Sequence, residues 1–213
     1  MSSGGTSVPD PRVVVIGGSA GGMRALAGIL TTFASARGTA VCVVLHRAPN
    51  HSPLAEVLQT YTDLPVHEPD SSPFDCPLGA ITVAPAGYHL LLGNTRTLSQ
   101  APSAAVAPYE TGPGVRAHLT LDAPVAHSRP SLDVTFESAA GLVNPPIAVL
   151  LSCANDDGAA GCAAVRAAGG KVALQDPATC EAPTAVRAAL RSVEPDYLGD
   201  PQGIGTWLSR MLP

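Results

Sequence analysis

The chain of 213 residues has little charge and few aromatic side chains: charged residues make up 14% of it and aromatic residues 4%. Its 12 lysines and arginines are scattered singly along the sequence, and the formal net charge is −5. A protein that binds nucleic acid, or that rests on a membrane through a polybasic patch, concentrates basic side chains on one surface. We therefore expect neither nucleic acid nor a membrane surface as a partner.

Long apolar runs, targeting signals and paired-cysteine motifs are also missing. No stretch approaches the ~18 apolar residues that a membrane-spanning helix requires, and the polar start of the chain has neither the basic nor the apolar region of a secretory signal. The five cysteines are an odd number without a Cys-x-x-Cys motif, which favours reduced thiols over a disulfide framework or a zinc site. We therefore expect a cytoplasmic protein that inserts into no membrane and holds no metal or other cofactor.

The sequence does contain enough apolar residues for one sizeable core, since 46% of the chain is hydrophobic. We expect a flexible polar leader at 1–11 and a single domain over 12–213, a size at which roughly 70% of the unfolded surface becomes buried. Apolar strand-like runs alternate with alanine-rich segments of helical periodicity, which is typical of an α/β fold with a mostly parallel, covered sheet. The predicted strands are 12–16, 40–45, 80–84, 146–152 and 171–175, and the predicted helices are 22–35, 52–60, 131–140, 158–168, 183–191 and 201–211.

Two further segments depart from this alternation. Short apolar runs at 81–83 and 88–92 flank an Ala-Pro-Ala-Gly tetrapeptide, which predicts a turn between antiparallel strands. Residues 100–115 are rich in alanine, proline and glycine and predict a loop. The domain is therefore expected to carry a small antiparallel hairpin beside its main sheet.

A serine stands where the first predicted strand gives way to the first predicted helix. The β-branched run that ends at Ile16 is followed by a Gly-x-Ser-x-Gly pattern centred on Ser19. Glycines in such a turn permit positive φ and leave space for a substrate, while the amides that begin a helix can stabilise an oxyanion. Ser19 is therefore a candidate nucleophile. The alternative is a glycine-rich turn in which Ser19 only caps the helix.

Two other predicted strands end at side chains that can assist a serine. His46 directly follows the apolar run 40–45, and Asp156 and Asp157 follow another predicted strand. Catalytic groups collect at the carboxyl ends of parallel strands. His46 is therefore the candidate base and an aspartate its candidate partner, unless His46 is an ordinary loop residue and the aspartate caps the following helix. His89 lies inside a strand-like run, where we expect a packed or hydrogen-bonded side chain rather than a catalytic one.

The order and identity of these residues exclude several familiar motifs. Lipase-like α/β-hydrolases place the acid before the histidine, whereas this chain runs Ser19, His46, Asp157. A P-loop requires Gly-Lys-Ser/Thr, but in this chain Gly22 is followed by Met23 instead of lysine. The dinucleotide fingerprint requires a glycine at the position of Ser19. The site is therefore expected on an α/β fold different from that of the lipases.

Six segments, in this order, resemble the catalytic domain of the CheB-type protein-glutamate methylesterases of bacterial chemotaxis. They are the serine motif at 16–22, the histidine motif at 44–49, an Ala-Pro-Gly-x-x-His segment matched at 84–89, an Arg-Pro-Ser-x-Asp-x-x-Phe block at 129–136, an Asp-Gly-x-x-Gly turn at 157–161 and a Gln-Asp-x-x-Thr-Cys segment at 175–180. The match spans about residues 12 to 212. It implies a doubly wound, mostly parallel sheet with a small antiparallel hairpin in a single domain.

The resemblance also implies a reaction and a set of site residues. Ser19, His46 and Asp157 map onto the family's catalytic triad, which hydrolyses methyl esters of glutamate side chains and, by related chemistry, deamidates glutamine. The implied substrate is a methylated chemoreceptor, bound through its cytoplasmic helices. The residues implied to form the oxyanion hole and the pocket are Ala20, Gly21, Ala154 and Asn155.

Three departures from the family pattern bear on this expectation. The family's Thr-Gly-Met-Gly is replaced at 152–155 by Ser-Cys-Ala-Asn, and Glu181 follows Cys180 where the family continues with two apolar residues. Only the short leader precedes the first predicted strand, so the family's receiver domain is expected to be absent and a separate receiver protein is a candidate regulator. The alternative function is that of a family member that binds a receptor, or serves as a scaffold, with an impaired catalytic site.

Overall fold

The computed structural model describes residues 12–49, 52–93 and 115–212. The predicted leader at 1–11, and all of the predicted loop at 100–115 except Val115, lie outside these residues. The strands of the described part are β1 Arg12–Gly18, β2 Thr39–Leu45, β3 Val66–His67, β4 Phe74–Cys76, β5 Ile81–Val83, β6 His89–Gly93, β7 Val115–Thr120, β8 Ile147–Leu150, β9 Lys171–Gln175 and β10 Tyr197–Gly199. The helices there are α1 Gly22–Leu30, α2 Leu54–Gln59, α3 Leu132–Ala140, α4 Ala159–Ala167, α5 Thr184–Ala189 and α6 Pro201–Met211.

The larger sheet has seven strands in the order β10-β9-β8-β1-β2-β5-β3, and all of its pairs are parallel. Within the described residues, β1 is the central strand, and the strands that follow it extend the sheet first on the β2 side and later on the β8 side. The strand order therefore reverses at β1. In open α/β sheets, ligands bind outside the carboxyl ends of the strands at such a reversal.

Side chains on the two faces of β1 belong to two separate hydrophobic clusters, which explains why helices cover both sides of the sheet. Val13 and Val15 pack with α3, α4 and α5, whereas Val14 and Ile16 pack with α1 and α6. All four valine and isoleucine side chains are at most 2% exposed. A strand that is buried on both faces reads as a continuous β-branched run, as this one does. The predicted doubly wound, mostly parallel sheet in a single domain is confirmed.

The small antiparallel element is a second sheet of three strands in the order β4-β7-β6. The hairpin predicted from the runs at 81–83 and 88–92 is wrong. The first run is β5, which pairs in parallel with β2 and β3, and the second is β6, which pairs with β7. An apolar tripeptide fits a buried parallel strand as well as one arm of a hairpin, so the local pattern did not distinguish the two.

The predicted helices are all present, with small shifts of their ends. The largest error is at α1, which was predicted to reach residue 35 and ends at Leu30. Phe33 and Ala36, which extended the apolar pattern, are buried beyond the helix end instead. None of the helices in the described part of the chain is long and apolar enough to cross a membrane.

Candidate active site

Ser19 and His46 follow neighbouring strands at the reversal point of the sheet. Gly18 of β1 pairs with Leu45 of β2, so the next residue of each strand comes to lie side by side. The His46 amide donates to the Gly18 carbonyl at 3.1 Å, and the Ser19 amide donates to the Ser152 carbonyl beyond β8 at 2.9 Å. Adjacent strands are separated by about 4.8 Å. Ser19 therefore stands between the His46 strand end and the β8 strand end.

Ser19 does not cap helix α1, which excludes the structural alternative considered for it. The N-cap residue is Gly21, whose φ of 76° lies in the left-handed region, and no side chain caps the helix. Ser19 is half-buried. Within the described part of the chain, the amides of Ala20 and Gly21 have no hydrogen-bond acceptor. The serine and two donor groups are therefore available at the same turn.

His46 is held at both ring nitrogens. Its Nε2 donates to Asp157 Oδ2 at 2.7 Å, and its Nδ1 lies 3.1 Å from Ser128 Oγ and 4.0 Å from Cys153 Sγ. Burial lowers the pKa of His46, but hydrogen bonds and charge from Asp157 and Cys153 outweigh burial and raise the pKa to about 9. With a carboxylate on Nε2, the neutral ring carries its proton there and presents Nδ1 as the acceptor.

Asp157 is buried and accepts hydrogen bonds from the start of helix α3. Its Oδ1 accepts from Ser131 Oγ at 2.9 Å and from the Asp133 amide at 3.0 Å, and its Oδ2 accepts from the Leu132 amide at 2.8 Å. Burial raises the pKa of Asp157, but the hydrogen bonds from His46 and from this turn outweigh burial and lower it. Asp157 therefore stays ionised beside His46. It accepts from the first amides of the neighbouring helix α3, whose N-cap is Ser131, and does not cap the following helix α4, whose N-cap is Gly158.

The four predicted oxyanion and pocket residues fall into two groups. Ala20 and Gly21 offer the free amides already described, and Ala154 is exposed at the end of β8. Asn155 does not offer its side chain to the pocket. Its Nδ2 donates to the Ala126 carbonyl at 3.0 Å, and its Oδ1 accepts from the Cys153 thiol at 2.9 Å. Asn155 therefore holds the segment that carries Ser128.

The segment after Cys180, shorter in apolar residues than in the family pattern, closes one side of the site. The Ala182 carbonyl accepts from the Cys153 amide at 2.9 Å, and the Ala182 amide donates to Ser152 Oγ at 2.9 Å. Glu181 packs over the turn that carries Ser19, because a Cβ added at Gly21 would lie 2.6 Å from Glu181 Cβ. The glycine at 21 is therefore required both by its φ and by this close approach.

Sequence reasoning missed Ser128 and did not assign a role to Ser131 or Asp133. Ser131 and Asp133 belong to the Arg-Pro-Ser-x-Asp-x-x-Phe block, so the block itself was the signal that could have identified them. Ser128 lies at the end of an irregular turn in which Ala126 and His127 have positive φ, and no pattern marks it.

His89 is buried and hydrogen-bonded, as its position in a strand-like run predicted. Its Nδ1 accepts from the Ser131 amide at 3.2 Å, and its Nε2 donates to the Ala123 carbonyl at 3.1 Å. Both partners are main-chain groups, one on each side of the segment that carries Ser128. His89 therefore joins this segment to the beginning of α3.

A cavity of about 450 Å³ adjoins His46 and is lined by residues that include Arg47, Ser128 and Arg129. A larger cavity of about 670 Å³ lies along α2 and β3 and contains none of the predicted site residues. The smaller cavity is the candidate substrate cavity, because of these two cavities it is the one lined by His46. Among the described residues, no group of three or more His, Cys, Asp or Glu side chains is arranged to hold a metal ion.

Known proteins resemble this chain in sequence over most of its length. The family model described as CheB methylesterase matches residues 14–208. A protein of Leptospira interrogans serovar copenhageni (strain Fiocruz L1-130) is 30% identical over 189 residues, which are 88% of this chain and 88% of that protein. A protein-glutamate methylesterase/protein-glutamine glutaminase of Trichodesmium erythraeum is 31% identical over 170 residues, which are 79% of this chain and 44% of that protein.

A solved structure shows the same fold. The crystal structure of the Thermotoga maritima CheB methylesterase catalytic domain superposes with a TM-score of 0.79 at 24% sequence identity, and the match covers 95% of this chain and 99% of that one. The family model matches most of the length of the chain, and the chain therefore belongs to the CheB methylesterase family.

Proposed function

We propose that the protein is a serine hydrolase that removes methyl esters from glutamate side chains of chemoreceptors, and that deamidates glutamine side chains by the same route. The observation that carries this proposal is the placement of Ser19 beside His46, with a buried carboxylate on the far nitrogen of the ring. Relatives named for both activities support the substrate class. The catalytic domain is assigned to residues 12–213, with a methylated receptor's cytoplasmic helices as the partner.

Ser19 attacks the ester carbonyl while His46 Nδ1 accepts its proton, and Asp157 holds the proton on Nε2 and stabilises the imidazolium. The imidazolium then protonates the departing methanol. A water molecule, activated by the same nitrogen, releases the glutamate from Ser19. No hydrogen bond joins Ser19 Oγ to His46 in the structure. Such contacts are often long until substrate binds, and the adjacent strand ends keep the distance to be closed short.

The negative charge that develops on the carbonyl oxygen needs donors at the same turn. The free amides of Ala20 and Gly21 immediately precede helix α1, and the exposed residue Ala154, beyond the end of β8, offers a third main-chain amide. Each donor of this kind contributes about 3–4 kcal/mol to the transition state in comparable sites. The replacement of the family's methionine by Ala154 keeps a main-chain donor and changes the shape of the pocket.

Methanol release from methylated receptor tests the reaction. Ser19→Ala is expected to lower the turnover number by roughly 10⁴-fold or more, because the nucleophile and its proton are lost together. A fluorophosphonate probe, followed by peptide mapping, identifies the reactive hydroxyl independently. Modification at Ser19 supports the proposal. Equal methanol release by the wild type and Ser19→Ala, or modification at another serine, contradicts it.

A receptor-binding module without turnover is the second candidate, and a specific observation favours it. The acceptor nitrogen of His46 contacts Ser128 and Cys153 instead of Ser19. A module of this kind would bind methylated receptor, release no methanol and leave the fluorophosphonate unreacted. The same two assays, with receptor binding measured alongside, therefore separate the two functions. Control by a separate receiver protein is compatible with either.

A further inference from the structure

We propose that Asp133 is a positioning residue for this reaction, which holds Asp157 on His46 through a reciprocal exchange of hydrogen bonds between two helix N-termini. The proposal rests on the proposed function for its effect on turnover. Its structural part concerns the first turns of α3 and α4, which lie side by side.

Asp157 is oriented almost entirely by α3. Three of the four hydrogen bonds that its carboxylate accepts come from Ser131, Leu132 and Asp133, and the fourth comes from His46. The direction in which Asp157 faces His46 is therefore set by where the turn that begins α4 sits relative to α3. A shift between the two helices would move the carboxylate away from the ring.

Asp133 completes the exchange in the opposite direction. Its Oδ1 accepts from the amide of Gly158 at 2.9 Å and from the amide of Gly161 at 2.7 Å, at the start of α4. Helix α4 has no side-chain cap of its own. Because the first amides of a helix have no partner within it, Asp133 supplies from α3 the acceptor that α4 lacks. The residue that donates its amide to Asp157 thus also fixes the turn that carries Asp157.

The packing leaves little freedom for another arrangement. A Cβ added at Gly161 would lie 2.5 Å from Phe136 Cβ and 3.2 Å from Asp133 Cα, so the first turn of α3 rests directly on the backbone of α4. This close approach brings the short aspartate side chain within reach of both amides. The contact is therefore built by two features of the sequence, the glycine at 161 and the aspartate at 133.

The exchange also places the carboxylates of Asp133 and Asp157 close together, and their environments shift the two pKa values in opposite directions. Burial and the charges of Asp157 and Glu137 raise the pKa of Asp133 to about 6, against the opposing hydrogen bonds from the amides of Gly161 and Gly158. Cys162, on α4, faces the same carboxylate, and its pKa is raised by burial and by the charge of Asp133. The pKa of Asp157 is lowered instead. Asp133 therefore takes up a proton before Asp157 does, and Asp157 keeps its charge for His46.

Two substitutions separate the hydrogen bonds of Asp133 from its charge. Both bonds go to one oxygen, so Asp133→Asn can keep them through its carbonyl while removing the charge, and Asp133→Ala removes both. The matched control is Glu137→Gln, which removes an exposed charge one turn along the same helix. Turnover, KM and the titration of the His46 ring, followed by NMR and assigned with His46→Gln, are measured for each variant of the full chain.

Asp133→Ala is expected to lower the turnover number about 10- to 100-fold with KM unchanged, the range seen when residues that orient the ligands of catalytic metal sites are replaced. Asp133→Asn is expected to keep most of the turnover and to move the pKa of His46 down, because a negative charge beside Asp157, the partner of His46, is lost. Glu137→Gln should produce the smaller shift.

Full turnover in Asp133→Ala would overturn the proposal. Losses in both variants that follow the melting temperature, with the His46 titration unmoved, would do the same and leave Asp133 a purely structural residue. If the wild type itself releases no methanol, the proposed function fails, while the His46 titration in the two variants still decides the role of Asp133.

Discussion

The carboxyl ends of the parallel strands and the segment beside the antiparallel sheet contribute different things to the site. The strand ends carry Ser19, His46 and Asp157, the three residues of the proposed triad. The segment from 121 to 131 and strand β6 carry Ser128 and His89, which hold those groups in place.

The two histidines show what the difference teaches. His46 contacts the side chains of Asp157 and Ser128, so its two ring nitrogens face a carboxylate and a hydroxyl. His89 contacts only main-chain groups, an amide on one nitrogen and a carbonyl on the other, which fix its tautomer. The same side chain is therefore a candidate base in one region and a structural crosslink in the other, and its partners decide which.

The largest effect is expected from a substitution at the strand ends. Asp157→Asn should lower the turnover number by roughly 10⁴-fold, because an asparagine that donates to Nε2 forces the ring proton onto Nδ1, where it blocks the nucleophile. Methanol release measures the loss. Asp156→Asn, an exposed neighbour, is the matched control and should retain full activity. Comparable turnover in both variants would remove Asp157 from the mechanism.

The second largest effect is expected in the region that supports the strand ends, the segment from 121 to 131 and strand β6. His89→Ala leaves a cavity and removes the acceptor of the buried Ser131 amide and the donor to the Ala123 carbonyl, so the free energy of unfolding should fall by about 2–4 kcal/mol. His89→Asn, which can still accept from the Ser131 amide, should lose less. Urea denaturation measures both, with the exposed His127→Ala as the control. A His89→Ala protein as stable as the wild type would show that the segment needs no crosslink.

The same division explains how much could be predicted from the sequence. Ser19, His46 and Asp157 each follow a strand, and a strand followed by a polar residue is a local pattern. Their convergence then follows from the parallel sheet alone. Ser128 reaches His46 across 82 residues of chain from an irregular turn, and no periodicity precedes it. Asp133 is recognisable in the sequence as part of a motif. Its contacts with α4 depend on the close approach of two helices, which no local pattern encodes.

The pH dependence of kcat/KM sharpens the comparison within the strand-end region. Because the pKa of His46 is raised to about 9, the ring is protonated at neutral pH and kcat/KM should rise as the pH is raised through about 9. Cys153 contributes to that shift, so Cys153→Ala should move the rise to lower pH and increase kcat/KM near neutrality. Cys180→Ala, whose thiol contacts Asp176 instead, should leave the profile in place. A rise centred near the ordinary histidine value in the wild type would contradict this prediction.

The smallest expected effect lies where the two regions meet, at Ser128 Oγ on His46 Nδ1. The neutral ring has one lone pair on Nδ1. The Ser128 hydroxyl therefore competes for it with the hydroxyl of Ser19, which has to donate its proton there. Ser128→Ala should therefore increase the rate of fluorophosphonate labelling at Ser19 by about two- to tenfold, the equivalent of one net hydrogen bond. Ser128→Thr, which keeps a hydroxyl, should stay near the wild-type rate. A loss of labelling in Ser128→Ala as large as that expected for Ser19→Ala would transfer the role of nucleophile to Ser128, and with it the chemistry from the strand ends to the supporting segment.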